Sequence, residues 1–317
     1  MRKLPRLYVV MLRYRVAAMV ALFLLLGAAG EGDLRLDARY LLAALALASC
    51  YVSATALNDL ADEEIDKINH PRDAGRPLVD GSAARGDLRV LCVLAAILAL
   101  CAAAPLGRAA LALVGVSLLV SQAYSARPLR ISYRLGGAPP ALAVAYVLVP
   151  YALGIVAARG ELRHEASALT VALFVLFTAR IVLKDFRDRD GDRRFGKQTL
   201  LLRHGKTATC AVSLVGLVVA DAVLAHAVDG RLWALLQLFA CAIGWMLWRL
   251  WRVSDPAQEQ VAIGVGARMG NGLLLTVLTW RVTGGDAAAS ALVAGAFLLS
   301  FGSLVTRLGD VAIGYKG

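Results

Sequence analysis

The chain has 317 residues, of which 59% are hydrophobic, with a mean hydropathy of +0.66 and a formal net charge of +11. So apolar a composition over that length excludes a soluble globular domain and describes a polytopic membrane protein. The positive balance does not describe a nucleic-acid binder, because the cations gather in alternate loops between apolar runs.

Apolar runs long enough to cross a bilayer lie at about 8–29, 38–58, 88–105, 108–125, 137–158, 167–184, 207–228, 231–252, 262–282 and 287–306. They predict an all-α, polytopic bundle of nine or ten transmembrane helices. No linker, low-complexity tract or soluble appendage interrupts the pattern, so residues 1–317 are expected to form a single integral membrane domain. The first run follows Met1-Arg2-Lys3 and ends on Ala28-Ala29-Gly30, as a signal peptide would, but Arg13 and Arg15 interrupt it and many spans follow. A retained helix is therefore expected. One set of loops carries Arg2, Lys3 and Arg6, then Lys67, Arg72, Arg76, Arg85 and Arg89, then Arg127, Arg130 and Arg134, then the stretch from Lys184 to Lys206, then Arg249 and Arg252. The positive-inside rule places that set in the cytoplasm.

Two acidic clusters each follow a long apolar run, and both lie on the cytoplasmic side of this topology. The first runs from Asn58 to Asp66 and the second from Asp185 to Asp192. Acids at a bilayer boundary are costly and usually mark function. Asp59, Asp62 and Asp66 stand at i, i+3 and i+7, as do Asp185, Asp188 and Asp192. On a helix each trio would share one face and rise about 10.5 Å. Such a column suits Mg²⁺ that stays partly hydrated and is shared with a phosphate-bearing substrate, rather than a closed protein shell. A solvated helix end, its acids paired with Lys67 and Arg72, would explain one cluster; two with the same spacing are harder to explain that way. An EF-hand calcium loop starting at Asp188 fails, because its sixth residue is Arg193 and its twelfth is Thr199, where Gly and Glu are needed.

The loops after the clusters mix cations with Gly or Pro breakers. Arg72, Arg76, Arg130, Lys184 and Lys197 could hold phosphate oxygens, though topology and lipid headgroups would account for any one of them. Tyr124 could hydrogen-bond a phosphate or a neighbouring Asp, or be an ordinary interfacial tyrosine. The five cysteines fall in apolar segments without paired spacing and the four histidines are scattered, so neither a disulfide framework nor a histidine metal box is indicated.

Together these residues resemble the UbiA superfamily of intramembrane prenyltransferases. Asn58, Asp59, Asp62 and Asp66 fit its N-D-x-x-D-x-x-x-D signature, and Asp185, Asp188 and Asp192 fit its D-x-x-D-x-x-x-D signature, with Gly196-Lys197-Gln198-Thr199 behind. Arg76-Pro77-Leu78, Tyr124-Ser125 and Pro128-Leu129-Arg130 are similar to the elements between them, so the likeness covers about the first two thirds of the chain in order. The first helix departs from it, reading Leu12-Arg13-Tyr14-Arg15 where many members have an Arg-Pro pair.

The resemblance implies a helical bundle around a central cavity, with Mg²⁺ held by the six aspartates and Asn58. It implies an isoprenyl diphosphate bound by Asn58, Arg72, Arg76, Tyr124, Arg130, Lys184 and Lys197, with its tail in an apolar channel open to membrane lipid. The reaction would be prenyl transfer to a small acceptor, either an aromatic ring or a glycerol-phosphate type lipid precursor. Arg13, Arg15 or Arg180 could sit beside an acidic acceptor. The alternative is a terpene cyclase without acceptor, whose cation would need aromatics such as Tyr51, Tyr146, Tyr151, Phe174 and Phe177. A transporter or a purely structural membrane protein is the reading from another class, and it would leave the duplicated acids unexplained.

Overall fold

The computed structural model describes residues 3–30, 37–71, 73, 75–159 and 164–306, the side chains of the last stretch over 167–301, and every regular element among them is helical. In chain order the helices are α1 (Leu4–Met11), α2 (Tyr14–Ala29), α3 (Ala38–Asn69), α4 (Arg85–Ala103), α5 (Arg108–Ser125), α6 (Ala138–Ala143), α7 (Val149–Ala157), α8 (His164–Ile181), α9 (Arg189–Arg194), α10 (Leu200–Ala227), α11 (Gly230–Arg252), α12 (Pro256–Val282) and α13 (Ala287–Thr306). Among the described residues eight helical segments are long and apolar enough to cross a membrane, and the pair α1–α2, bent by 68°, makes a ninth if taken as one broken span. The shorter apolar helix α13 follows, so the expected all-α bundle of nine or ten spans agrees with the structure.

The chain divides into two compact units, one of residues 1–161 and 188–199, the other of residues 162–187 and 200–316. In the first unit α3 is the central element. Asp37 starts it, its carboxylate accepting the backbone N–H of Arg39 at 2.9 Å and of Tyr40 at 3.2 Å. At 32 residues α3 is about 48 Å long, against about 30 Å of hydrocarbon, so its last turns carry the first acidic cluster beyond the apolar zone. Leu7 and Met11 of α1 pack with Val52 and Ala56 of α3 and with Leu88, Leu91 and Ala95 of α4. A second core joins Val20 and Leu24 of α2, Ala43, Ala46 and Leu47 of α3, and Leu153 and Ala157 of α7.

Helices in lipid gain nothing from excluding water from one another, so they associate through close packing of small residues. Helices α2 and α7 do this at two reciprocal points. A Cβ at Gly27 would overlap the carbonyl oxygen of Tyr151, and one at Gly154 would overlap that of Leu24. Between α6 and α7 a π-helical turn, Val144–Leu148, precedes Pro150, which has no N–H to give the ladder.

The second acidic cluster departs from the expected column on one helix face. Helix α8 ends at Ile181, a 3₁₀ turn covers Val182–Phe186, and the short α9 begins only at Arg189. The segment is rich in Asp and carries Gly191, residues that give a helix little support in its interior. Asp185 consequently belongs to the second unit, and Asp188 and Asp192 to the first.

In the second unit, the missing Cβ of Gly270 leaves room for the guanidinium of Arg180, and Gly216 lies against the Cβ of Ala179. Lys206, just past a break in α10 at Gly205, meets the buried Glu259 at 2.7 Å and the carbonyl oxygen of Val253. Arg249 lies over the ring of Trp245, and Arg252 over Trp248 and Trp251. Cys50, Cys92 and Cys210 are buried, Cys101 and Cys241 are exposed, and all five are free thiols.

Replacing Gly154 by Val should force α2 and α7 apart. Overpacking of this kind costs about 1–3 kcal/mol, and a lowered midpoint of thermal unfolding in detergent is the expected result. An unchanged midpoint would mean that the two backbones are not in contact there.

Candidate active site

Asp59, Asp62 and Asp66 share one face of α3, as their spacing requires, and all three are at most 6% exposed. A carboxylate so buried needs compensation, since the penalty for an unpaired buried ion is several kcal/mol. Each has a cation. Arg13 Nη2 bridges both oxygens of Asp59, at 2.6 and 2.8 Å. Arg76 Nη1 reaches Asp66 and lies 3.4 Å from Asp59. Asp62 receives Lys197 Nζ at 3.0 Å, Arg130 Nη2 at 3.4 Å and the Asn58 amide at 3.3 Å.

Local backbone geometry delivers these cations. Arg13 occupies the break between α1 and α2 with φ 42°, a left-handed conformation that costs a non-glycine residue about 1–2 kcal/mol. The hydroxyl of Thr55, one turn before Asp59, donates to the carbonyl of Met11 at 2.9 Å and ties that break to α3. Arg130 is also left-handed, with φ 39°, where the chain enters the 3₁₀ turn Ile131–Tyr133. Its Nη2 also donates to the carbonyl of Ala61 at 3.0 Å.

Helix α9 docks on the end of α3. The N–H of Gly191 donates to Asn69 Oδ1 at 2.7 Å, and a Cβ at residue 191 would collide with the Asn69 amide. The docking brings Asp192, 3% exposed, to 3.2 Å from the same Lys197 Nζ that holds Asp62. His70 Nε2 lies 3.1 Å from Asp188 Oδ1. Tyr133 adds an aromatic surface: the Arg130 guanidinium carbon is 3.8 Å from its ring centroid and Lys197 Nζ is 5.3 Å from it. Burial, with Asp62 nearby, raises the Tyr133 pKa above the ordinary phenol value, so the ring stays neutral at working pH.

Of the residues singled out in the sequence, Asn58, Asp59, Asp62, Asp66, Arg76, Arg130, Asp188, Asp192 and Lys197 come together in the first unit. Asp185 and Lys184 lie in the second, Asp185 buried with its Oδ1 3.9 Å from Lys184 Nζ. Tyr124 is half-buried in the last turn of α5, and Arg72 lies outside the described residues. Arg13, one of three arginines that could serve an acidic acceptor, pairs with Asp59. Sequence reading missed His70, Tyr133 and Asn69. Only Asn69 carried a signal, because it stands seven residues after Asp62 on the same helix face.

The profile of the UbiA prenyltransferase family matches residues 16–272, most of the chain. The chain belongs to the UbiA prenyltransferase family. A homogentisate phytyltransferase of Synechocystis sp. is 31% identical over 226 residues, 67% of this chain and 71% of that one. A digeranylgeranylglyceryl phosphate synthase of Pyrococcus horikoshii is 32% identical over 156 residues, about half of each chain (49% and 52%). A UbiA homologue from Archaeoglobus fulgidus, solved bound to DMAPP and Mg²⁺, has a TM-score of 0.59 at 14% identity over 94% of this chain and 99% of that one. A solved digeranylgeranylglyceryl phosphate synthase has a TM-score of 0.66 at 18% identity, covering 89% of this chain and all of the other. These likenesses establish the UbiA fold, and the protein is a multi-pass membrane prenyltransferase.

Among the described residues no three His, Cys, Asp or Glu side chains converge as a metal-binding group. The carboxylates of this UbiA site are drawn to cations instead. Their donor set nonetheless fits Mg²⁺ in kind: hard carboxylate oxygens with an amide beside them, and cations whose other natural partners are phosphate oxygens.

Substituting Arg76 by Leu should destabilise the protein by about 3–5 kcal/mol, because Asp66 and Asp59 then lose a buried partner. Adding Asp66→Asn should restore part of that loss. Denaturant titration in detergent measures both, and undiminished stability of the single variant would show that these carboxylates are compensated elsewhere.

Proposed function

We propose that this protein transfers a prenyl group from an isoprenyl diphosphate to a small acceptor in an Mg²⁺-dependent reaction. The observation that carries the proposal is the cluster of four buried aspartates, Asp59, Asp62, Asp66 and Asp192, with the half-buried Asp188 beside them, interleaved with Arg13, Arg76, Arg130 and Lys197. Prenyl diphosphate chemistry needs both signs of charge at one place, carboxylates for the metal and cations for the phosphates. The DMAPP and Mg²⁺ bound to the Archaeoglobus homologue support the same reading.

In this reading Asn58, Asp59, Asp62, Asp66, Asp188 and Asp192 of the first unit would hold Mg²⁺. The bound ion would supply charge neutralisation for the departing diphosphate. Arg76, Arg130 and Lys197, with Tyr124 as a further phosphate partner, would meet the diphosphate oxygens as it binds, the three cations turning to them from the carboxylates. The C1–O bond of the prenyl group breaks with its electron pair leaving on the diphosphate. The allylic cation is captured by the acceptor, which then loses a proton. Water must be kept away, because it would capture the cation first.

Tyr51 and Thr55 continue the face of α3 that carries Asp59, towards the interior, and Tyr51 meets Tyr146 edge to face with centroids 5.7 Å apart. An apolar, aromatic environment behind the charges suits a prenyl tail. That pair is also the observation that favours the second reading, a cyclase in which aromatic faces stabilise a migrating cation. Likeness to a homogentisate phytyltransferase over two thirds of the chain favours transfer to an acceptor.

The purified protein with Mg²⁺ and geranyl, farnesyl or geranylgeranyl diphosphate, alone and then with phenolic and glycerol-phosphate acceptors, tests this by mass spectrometry. An adduct formed only with an acceptor is expected; a rearranged hydrocarbon without one would establish the cyclase. Chelation of divalent metal should abolish turnover. Asp59→Ala, Asp62→Ala and Asp188→Ala should each reduce diphosphate release at least about a hundredfold while the protein still inserts, and full activity in any of them would sink the site assignment.

The positive-inside pattern supports a cytoplasmic site. With Cys101 and Cys241 replaced, Ser82→Cys, in the exposed loop after α3, should react with an impermeant thiol reagent in inverted vesicles and not in right-side-out cells. The opposite result would reverse the topology.

A further inference from the structure

We infer that Tyr133 is a positioning residue, whose ring face holds Arg130 and Lys197 where a diphosphate would meet them. The role rests on the prenyl diphosphate reading above. Both cations lie on this one ring, at 3.8 and 5.3 Å from its centroid, and both also reach the two oxygens of Asp62, Lys197 at Oδ2 and Arg130 at Oδ1. A carboxylate alone is a poor guide for two long flexible side chains, because each can pivot about its oxygens. A fixed aromatic face removes that freedom and still leaves the N–H groups available to phosphate.

Tyr133 is well placed to be fixed. It closes the 3₁₀ turn that left-handed Arg130 begins, its N–H donating to the Arg130 carbonyl at 3.0 Å. Its own carbonyl accepts the N–H of Gln198, the residue after Lys197, at 3.2 Å. Tyr133 is therefore bound through its main chain to the segments that bear both cations and through its ring to the cations themselves. The phenol remains neutral, as its raised pKa indicates, so the ring presents its quadrupole rather than a phenolate that would compete with substrate for the cations. When a diphosphate displaces Asp62 as the partner of Arg130 and Lys197, the ring is the contact common to both cations that need not change, beside the Ala61 carbonyl at Arg130 and Asp192 at Lys197.

A role in packing alone would depend on the shape of the ring, whereas this role depends on the charge distribution over its face. The experiment compares wild type, Tyr133→Phe, Tyr133→Leu, and proteins carrying singly, doubly and triply fluorinated phenylalanine at position 133. Binding of inorganic pyrophosphate with Mg²⁺ is measured by calorimetry, the KM and kcat for geranylgeranyl diphosphate are measured alongside, and the thermal midpoint is the folding control. Tyr133→Phe should stay within about twofold of wild type, and Tyr133→Leu should bind pyrophosphate about tenfold more weakly, with the loss in KM rather than kcat. The fluorinated series should weaken stepwise at constant thermal midpoint, and it decides the matter if the Leu protein does not fold. A flat series, or Tyr133→Leu within twofold of wild type, overturns the role of Tyr133 while wild-type binding leaves the prenyl diphosphate reading standing. Wild-type protein that neither binds pyrophosphate nor turns over any prenyl diphosphate overturns both.

Discussion

Charge compensation at the end of α3 is the constraint from which the first unit takes its shape. Three aspartates on one face of a single helix are buried to 6% exposure or less, and like charges so close repel as well as lose hydration. The cations that balance them come from residues 13, 76, 130 and 197, four places far apart in the chain. The path of the backbone has to bring them there. The break between α1 and α2, the loop ahead of α4, the turn after α5 and the segment behind α9 all end at the same carboxylates.

Backbone strain at the cluster points the same way. The non-glycine residues with positive φ among the described residues are Arg13, Arg130 and Arg159, and the first two are cations of this cluster. A left-handed arginine persists only where its surroundings over-determine it. At Arg13 the surroundings are the Asp59 carboxylate and the Thr55 hydroxyl that ties the Met11 carbonyl to α3. Geometry favoured for stability alone would put a glycine at such a turn, as the chain does at Gly81, Gly107 and Gly136. The two arginines occupy strained backbone because the charge is needed at that point.

Much of this was legible in the sequence, for reasons that can be stated residue by residue. Apolar runs fix the spans because lipid leaves helices few alternatives, and the i, i+3, i+7 spacing correctly put Asp59, Asp62 and Asp66 on one face of α3. The same spacing misled at Asp185, Asp188 and Asp192, where the helix gives way to a 3₁₀ turn and a new short helix. Spacing describes a face only if the helix continues, and here it gives way in an Asp-rich segment before α9, whose place on α3 is then set by the docking of Gly191 on Asn69, residues 122 apart. The pairing of Arg13 with Asp59 and the ring of Tyr133 beneath Arg130 and Lys197 are likewise long-range facts with no local signature.

Along α3 the environment changes from ionic to aromatic within a few turns, from Asp66 and Asp62 through Asp59 and Thr55 to Tyr51 against Tyr146. A prenyl diphosphate has the same gradient built into one molecule, a multiply charged head joined to an apolar chain. An inorganic diphosphate would satisfy the ionic end alone, and a prenyl alcohol only the aromatic end. In the proposed function, the junction of the two environments near Asp59 and Thr55 is where the C1–O bond would lie. On that proposal the helix face that compensates the charges would also set the register of the substrate, because a head held at Asp62 and Asp66 would direct its chain along α3 towards Tyr51.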